Sequence, residues 1–165
     1  MKGIMFVCHG NICRSPMAEF ILRDMFEKEN FDLVVASSAT STEEIWNGIG
    51  NPVYPPAREE LSRHGIFCEG TRAVQLKKSD YDKYDLFIGM DDANIRNMVR
   101  IFCGDPEGKI RKLMDYTDRG GDVADPWYSE RFDIAYRDIR DGCECLMALL
   151  RKGENGLLNK NRNSF

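Results

Sequence analysis

The stretch Val7-Cys8-His9-Gly10-Asn11-Ile12-Cys13-Arg14-Ser15-Pro16 decides the fold. Before it, residues 4–7 are a short apolar run that reads as a buried strand. After it, Ser15-Pro16-Met17-Ala18-Glu19 reads as a helix start, with Ser15 as the cap, Pro16 in the first turn and Glu19 adding negative charge there. Strand, tight polar loop and helix together turn a row of backbone N–H groups toward an anion, and the helix dipole adds partial positive charge at the same spot. The loop also carries Cys8 and, six residues on, Arg14. A helix N-terminus and a nearby cation favour the thiolate form of a cysteine. The pattern is that of a loop that binds an oxyanion and holds a nucleophile to attack it.

Outward from this loop the chain alternates between strand and helix patterns. Met17, Phe20, Ile21, Met25 and Phe26 recur at helical spacing, and residues 31–36 (FDLVVA) form the next strand candidate. A helix-length crossover between two buried strands indicates a parallel βαβ unit. Residues 42–56, punctuated by Gly48, Gly50, Pro52, Pro55 and Pro56, read as a long irregular loop with Trp46 in its middle. A short helix over 56–64 stops at Gly65, with His64 as a structural residue at its end, and residues 71–83 form a polar connection with a helical turn. Residues 84–90 (YDLFIGM) form a strand, and Asp91 caps a helix reaching about residue 101. Residues 109–114 are a short strand, 115–128 a loop rich in Gly and Asp, and 131–150 a long helix in which Cys143 and Cys145 are packing residues. This order specifies an α/β fold: a doubly wound open sheet of four parallel strands flanked by helices on both faces. Residues 1–152 read as a single domain and 153–165 as a polar, frayed tail. In such folds ligands sit at the carboxyl ends of strands, where residues 8–15 lie.

Composition narrows the partners. A net charge of −4 without a basic run gives no footprint for nucleic acid or a membrane surface. The apolar run before Cys8 is too short for a leader or a spanning helix. Six cysteines then read as reduced thiols of a cytoplasmic protein. Two histidines and the lack of a Cys-x2-Cys pair argue against a zinc site.

Cys8-His9-Gly10-Asn11-Ile12-Cys13-Arg14-Ser15 resembles the signature loop of the low-molecular-weight protein tyrosine phosphatases. The resemblance implies hydrolysis of phosphotyrosine and small aryl phosphates through a phosphocysteine intermediate, with no metal or other cofactor. Cys8 would be the nucleophile, Arg14 the bidentate grip on the phosphoryl oxygens, and His9, Gly10, Asn11, Ile12, Cys13, Arg14 and Ser15 the phosphate-binding loop. Ser15 would hydrogen-bond the sulfur, Asn11 would hold the loop shape, and Ser37 would stand behind it. The family places its general acid in an Asp-Pro pair shortly before the last helix, which here is Asp125-Pro126-Trp127-Tyr128. Asp125 would protonate the leaving phenolate and then activate water, buried beside the aromatic rings. Trp127, Tyr128 and Trp46 would wall the substrate cleft. Many relatives carry a histidine where this chain has Thr71, so the supporting contact to Asn11 is expected to differ.

Rival readings on the same fold are an arsenate reductase, a protein arginine phosphatase and a non-catalytic phosphotyrosine-binding module. Ile12 stands where arginine-specific relatives tend to carry Thr, Cys68 and Cys103 are poorly placed for an arsenate relay, and a capture module usually loses the Cys, the Arg or the acid. Cys13 is close enough in the loop to trap an oxidised Cys8 as a disulfide. The expected partners are tyrosine-phosphorylated proteins, met by a cytoplasmic monomer without nucleic acid or membrane.

Overall fold

The computed structural model describes residues 1–153. Strand β1, Gly3–Cys8, is buried along its whole length. Ile4, Phe6 and Cys8 enter one apolar cluster while Met5 and Val7 enter another. A strand buried on both faces belongs in the middle of a parallel sheet, and β1 is there. With β2 (Val34–Ala39), β5 (Leu86–Gly89) and β6 (Ile110–Lys112) it forms a sheet of order β2-β1-β5-β6, every neighbouring pair parallel. Helices α1 (Arg14–Glu29) and α5 (Phe132–Arg151) cover the Ile4–Phe6 face, where Met17, Ile21, Ile139, Cys143 and Leu146 are at most 1% exposed. Helix α3 (Asp92–Phe102) covers the other through Met98 and Phe102, which pack with Phe87. Each such fully buried side chain contributes roughly 1.5–3 kcal/mol.

From β1 the chain first crosses to β2 on one side and later returns to β5 on the other. That reversal leaves a crevice at the carboxyl end of β1, where the 8–14 loop sits. Among the described residues no helix is long and apolar enough to cross a membrane.

Two local expectations are corrected. Strand β2 starts three residues later than the apolar run at 31–36 suggests. Asn30 ends α1 in the left-handed region (φ 53°), the Phe31 N–H donates to the Phe26 carbonyl at 2.9 Å, and the two rings stack at 4.9 Å. Phe31 therefore closes a helix C-terminus. The strand runs on instead through Ser37, Ser38 and Ala39, small residues that pair with Phe6, Val7 and Cys8 directly beneath the loop.

Residues 42–56 are also more regular than their punctuation suggests. β3 (Ile45–Trp46) and β4 (Ile49–Gly50) form an antiparallel hairpin. Asn47 (φ 50°) and Gly48 (φ 75°) both have positive φ, the condition for a type I′ turn. The hairpin is strapped to the 72–74 segment: the Ala73 N–H donates to the Asn51 carbonyl at 2.9 Å, and Arg72 Nη1 donates to the Gly50 carbonyl at 2.9 Å. A Cβ on Gly50 would stand 1.9 Å from the Ala73 carbonyl oxygen. Gly50→Ala is thus expected to lower stability by about 3 kcal/mol, a fall of roughly 10 °C in thermal unfolding. An unchanged Tm would show that the strap yields without cost.

Candidate functional site

The loop from Cys8 to Arg14 is fastened from outside by its own carbonyls. Cys8, His9 and Ile12 carbonyls accept from the N–H groups of Thr40, Ser41 and Tyr54 at 3.0, 3.0 and 2.8 Å. Among the described residues, the N–H groups of Gly10 to Cys13 find no acceptor. Donors without partners at the start of a 16-residue helix form an anion cradle. A cleft of about 140 Å³ opens over it, lined by Cys8, His9, Gly10, Ile12, Cys13 and Arg14 together with Glu43, Glu44, Asp125, Trp127 and Tyr128.

Ser15 does not cap α1. The helix begins one residue earlier, Cys13 occupies the cap position without a side-chain bond, and the Ser15 hydroxyl lies 3.0 Å from Cys8 Sγ. Nor does Glu19 add charge to the first turn: with α1 starting at Arg14 it lies beyond that turn, and its side chain is buried. The proton arrangement around Ser15 follows by elimination. The Val74 N–H can only donate, and it meets Asn11 Oδ1 at 3.0 Å. That fixes Asn11 Nδ2 as donor to Ser15 Oγ (2.8 Å) and to Ser37 Oγ (2.9 Å). The Ser15 hydroxyl then has two acceptors within reach of its single proton, Cys8 Sγ at 3.0 Å and the Ser38 carbonyl at 3.5 Å, of which the sulfur is nearer, and the Ser15 N–H adds a longer contact to Sγ at 3.4 Å. Asn11 adopts φ 57°, a conformation that Asn tolerates better than most residues. A main-chain N–H thus supplies the contact that Thr71 does not.

Ser37 in turn donates to Glu19, which pairs with Arg23 at 2.7 Å. Burial pushes the Glu19 carboxyl above its ordinary value of 4.5, against the pull of Ser37 and Arg23. A raised carboxyl contributes stability that is fully present below that ordinary value and is lost as pH rises through the folded-state value. Glu19→Gln is therefore expected to gain stability relative to wild type as pH rises from 4 to 8. Urea unfolding across that range checks it, and a pH-independent difference would contradict it.

Arg14 is 3% exposed. Its Nη1 donates to Asp91 Oδ2 (2.7 Å) and to the Val123 carbonyl (2.9 Å), while Nη2 reaches Asp125 Oδ2 at 3.4 Å. Burial works against the guanidinium charge, but Cys8, Asp91 and Asp125 outweigh it and push Arg14 above its already high value. It is a fixed cation. Asp91 has two tasks, capping α3 through the Asn94 N–H (2.8 Å) and holding Arg14.

Asp125 caps α4 (Pro126–Ser129), its Oδ1 accepting from the Trp127 N–H at 3.0 Å. The expectation of a buried acid is corrected: its side chain keeps 28% exposure, and Trp127 and Tyr128 are 51% and 83% exposed. The Trp127 ring leans on Tyr54 instead, centroids 4.9 Å apart. Trp46, on β3, is 73% exposed and is not among the cleft residues, whereas Glu43 and Glu44 from the preceding turn are. Cys13 is buried, and burial, then Cys8, push its thiol far up, so it stays protonated. Neither Cys68 nor Cys103 lines the cleft. His64 stacks on Tyr136 at 3.7 Å, a structural contact.

Local sequence reading did not find Tyr54, Glu43 and Glu44. Tyr54 lies just before Pro55-Pro56 and the two acids just before the hairpin; only the three-dimensional closure of the loop sets Tyr54 behind Trp127 and brings Glu43 and Glu44 to the cleft. Among the described residues no cluster of His, Cys, Asp and Glu is arranged to hold a metal ion.

A family model described as low molecular weight phosphotyrosine protein phosphatase matches residues 3–155. The low molecular weight protein-tyrosine-phosphatase YfkJ of Bacillus subtilis is 36% identical over 154 residues, covering 92% of this chain and 97% of its own. The protein-tyrosine-phosphatase PtpA of Staphylococcus haemolyticus is 35% identical over 157 residues, with 94% and 97% covered. The crystal structure of YfkJ superposes with a TM-score of 0.87 at 35% identity, covering 94% of this chain and 98% of that one. That of the low molecular weight phosphatase from Streptococcus pyogenes gives 0.77 at 32% identity, with 96% and 97% covered.

Proposed function

The chain belongs to the low-molecular-weight protein tyrosine phosphatase family and is a phosphatase, and from that premise we propose how its own residues carry the reaction. The observation that supports this reading most is the meeting of Cys8, Arg14 and Asp125 in one cleft over unpartnered loop N–H groups. A phosphorylated tyrosine seats its phosphoryl oxygens on the N–H groups of residues 9–14 and on Arg14, which Asp91 steadies. The Cys8 thiolate attacks phosphorus in line. The S–P bond forms as the P–O bond to the phenol breaks, and the Asp125 carboxyl gives its proton to the departing oxygen. Water then attacks phosphorus and loses a proton to Asp125. The S–P bond breaks, the electron pair returns to sulfur, and the Ser15 hydroxyl at 3.0 Å steadies the restored thiolate.

Trp127, leaning on Tyr54, and Tyr128 line the cleft and offer apolar faces to a phenyl ring, which favours tyrosine over serine as the phosphorylated residue. The remaining parts of the reading are a single domain over residues 1–152, a cytoplasmic monomer, and no cofactor, nucleic-acid or membrane partner. The last two rest on the net charge of −4. The test is hydrolysis of p-nitrophenyl phosphate and a phosphotyrosine peptide with EDTA present, and acid-quenched mass spectrometry for phosphate on the Cys8 peptide. Turnover that vanishes with EDTA, or an unlabelled Cys8 during turnover, would overturn the mechanism.

Cys13 completes the reading as a redox partner. Peroxide takes the Cys8 thiolate to the sulfenic acid, and the Cys13 thiol condenses with it, forming the S–S bond and releasing water. Non-reducing peptide mapping after mild peroxide is expected to recover a Cys8–Cys13 link. Recovery of sulfinic Cys8 without that link would remove the role.

A further inference from the structure

Glu43 and Glu44 stand where the chemistry does not want them. The floor of the cleft is built for an anion, yet both carboxylates line the same cavity, and like charge beside a binding site for a phosphate dianion weakens it. Glu44 is nonetheless held there deliberately. Its backbone carbonyl accepts from the Asn51 N–H at 2.8 Å, and its Oε2 accepts from Asn51 Nδ2 at 2.7 Å. Its stem lies against the loop itself: a Cβ on Gly10 would stand 3.2 Å from Glu44 Cγ. Among the described residues no cation pairs with Glu44, and Oε1 accepts no hydrogen bond. Among the described residues the Glu43 carboxylate pairs with His9 alone, at 2.9 Å across an exposed contact. A positioned carboxylate at the rim of an anion site, braced by a neutral amide and lacking a cation of its own, discriminates between substrates by the charge that flanks the phosphate.

We infer that Glu44, positioned by Asn51 and assisted by Glu43, selects phosphotyrosine segments that carry arginine or lysine within a residue or two of the phosphotyrosine. This rests on the phosphatase reading above. With the phosphate on the 8–14 loop, these two carboxylates line the same cleft and face the residues that flank the tyrosine. A cation there pairs with Glu44 and lifts the repulsion that the dianion otherwise meets. An acidic flank adds to that repulsion.

Three substrates decide the matter: p-nitrophenyl phosphate, a phosphotyrosine peptide with flanking arginines, and the same peptide with flanking glutamates. Wild type is expected to favour the arginine peptide in kcat/KM by about fivefold at low salt, the scale of an exposed ion pair, and the preference should shrink as salt is raised. Glu44→Gln should move two substrates in opposite directions, slowing the arginine peptide and speeding both the glutamate peptide and p-nitrophenyl phosphate. Asn51→Ala, which frees the carboxylate without removing it, should weaken the preference in part. If Glu44→Gln changes all three substrates by the same factor, the Asn51–Glu44 contact merely closes the hairpin and the inference is overturned. A wild type that does not distinguish the peptides overturns it as well. Failure of the parent reading looks different, since p-nitrophenyl phosphate would then not be turned over at all, and the inference would fall with it.

Discussion

Cys8→Ser is expected to reduce turnover of p-nitrophenyl phosphate and of a phosphotyrosine peptide by at least about 10⁴-fold, the scale seen when an enzyme loses its nucleophile. The substitution exchanges one atom at a site that is 3% exposed, so the fold is kept. What changes is the species that faces phosphorus. In the proposed mechanism that species is a thiolate, with the Ser15 hydroxyl at 3.0 Å and the Ser15 N–H at 3.4 Å from the sulfur. A serine hydroxyl keeps its proton and is a far weaker nucleophile than a thiolate. Binding should survive the change, because the loop N–H groups and Arg14 are untouched. The variant is expected to retain a phosphotyrosine peptide in a pull-down or calorimetric titration while turning over none. Activity within about tenfold of wild type would exclude Cys8 as nucleophile.

Asp125→Asn should cost about 10²–10⁴-fold with phenyl phosphate or a phosphotyrosine peptide, the usual contribution of a general acid. The loss should be much smaller with p-nitrophenyl phosphate, whose leaving group departs without help. Asparagine is as good a helix cap as aspartate and can keep the 3.0 Å bond to the Trp127 N–H, so α4 stays in place. In the proposed mechanism the partial exposure of Asp125 would have a use: the carboxyl would meet a phenolic oxygen in the first step and water in the second. Equal losses for good and poor leaving groups would assign the acid elsewhere.

How much of this was legible beforehand depended on whether the signal was local. Strand β1, the loop and α1 are contiguous, and an apolar run followed by Cys8, Gly10, Arg14 and Ser15 has few other uses, so both the architecture and the phosphate chemistry could be read there. Interactions between distant segments could not. Arg14 meets residues 77 and 111 positions away, and nothing near Arg14 announces Asp91 or the Val123 carbonyl. Asp91 was legible as a cap because capping is a local event, and its second task was hidden for the same reason. The hairpin at 45–50 was overlooked although Asn47-Gly48 is a strong turn signal. Its strands are two residues each, too short to show alternation, and the surrounding Gly and Pro suggested irregularity. Ser37, Ser38 and Ala39 fall outside the apolar strand pattern because small residues have little strand propensity. They are strand because they pair in register with Phe6, Val7 and Cys8 of the central strand.

The left-handed corner at Asn11 is secured by the main-chain N–H of Val74, a residue whose side chain is 56% exposed. Every amino acid except proline brings the same N–H to that position. Drift at codon 74 is therefore nearly free of consequence for the geometry of the phosphate loop, whereas a side-chain donor in that role could be erased by one nucleotide change. This support of the reactive loop lies in the main chain, the part of a protein that substitution leaves alone. A library randomised at position 74 should keep activity throughout, with proline as the one codon class that is selected out.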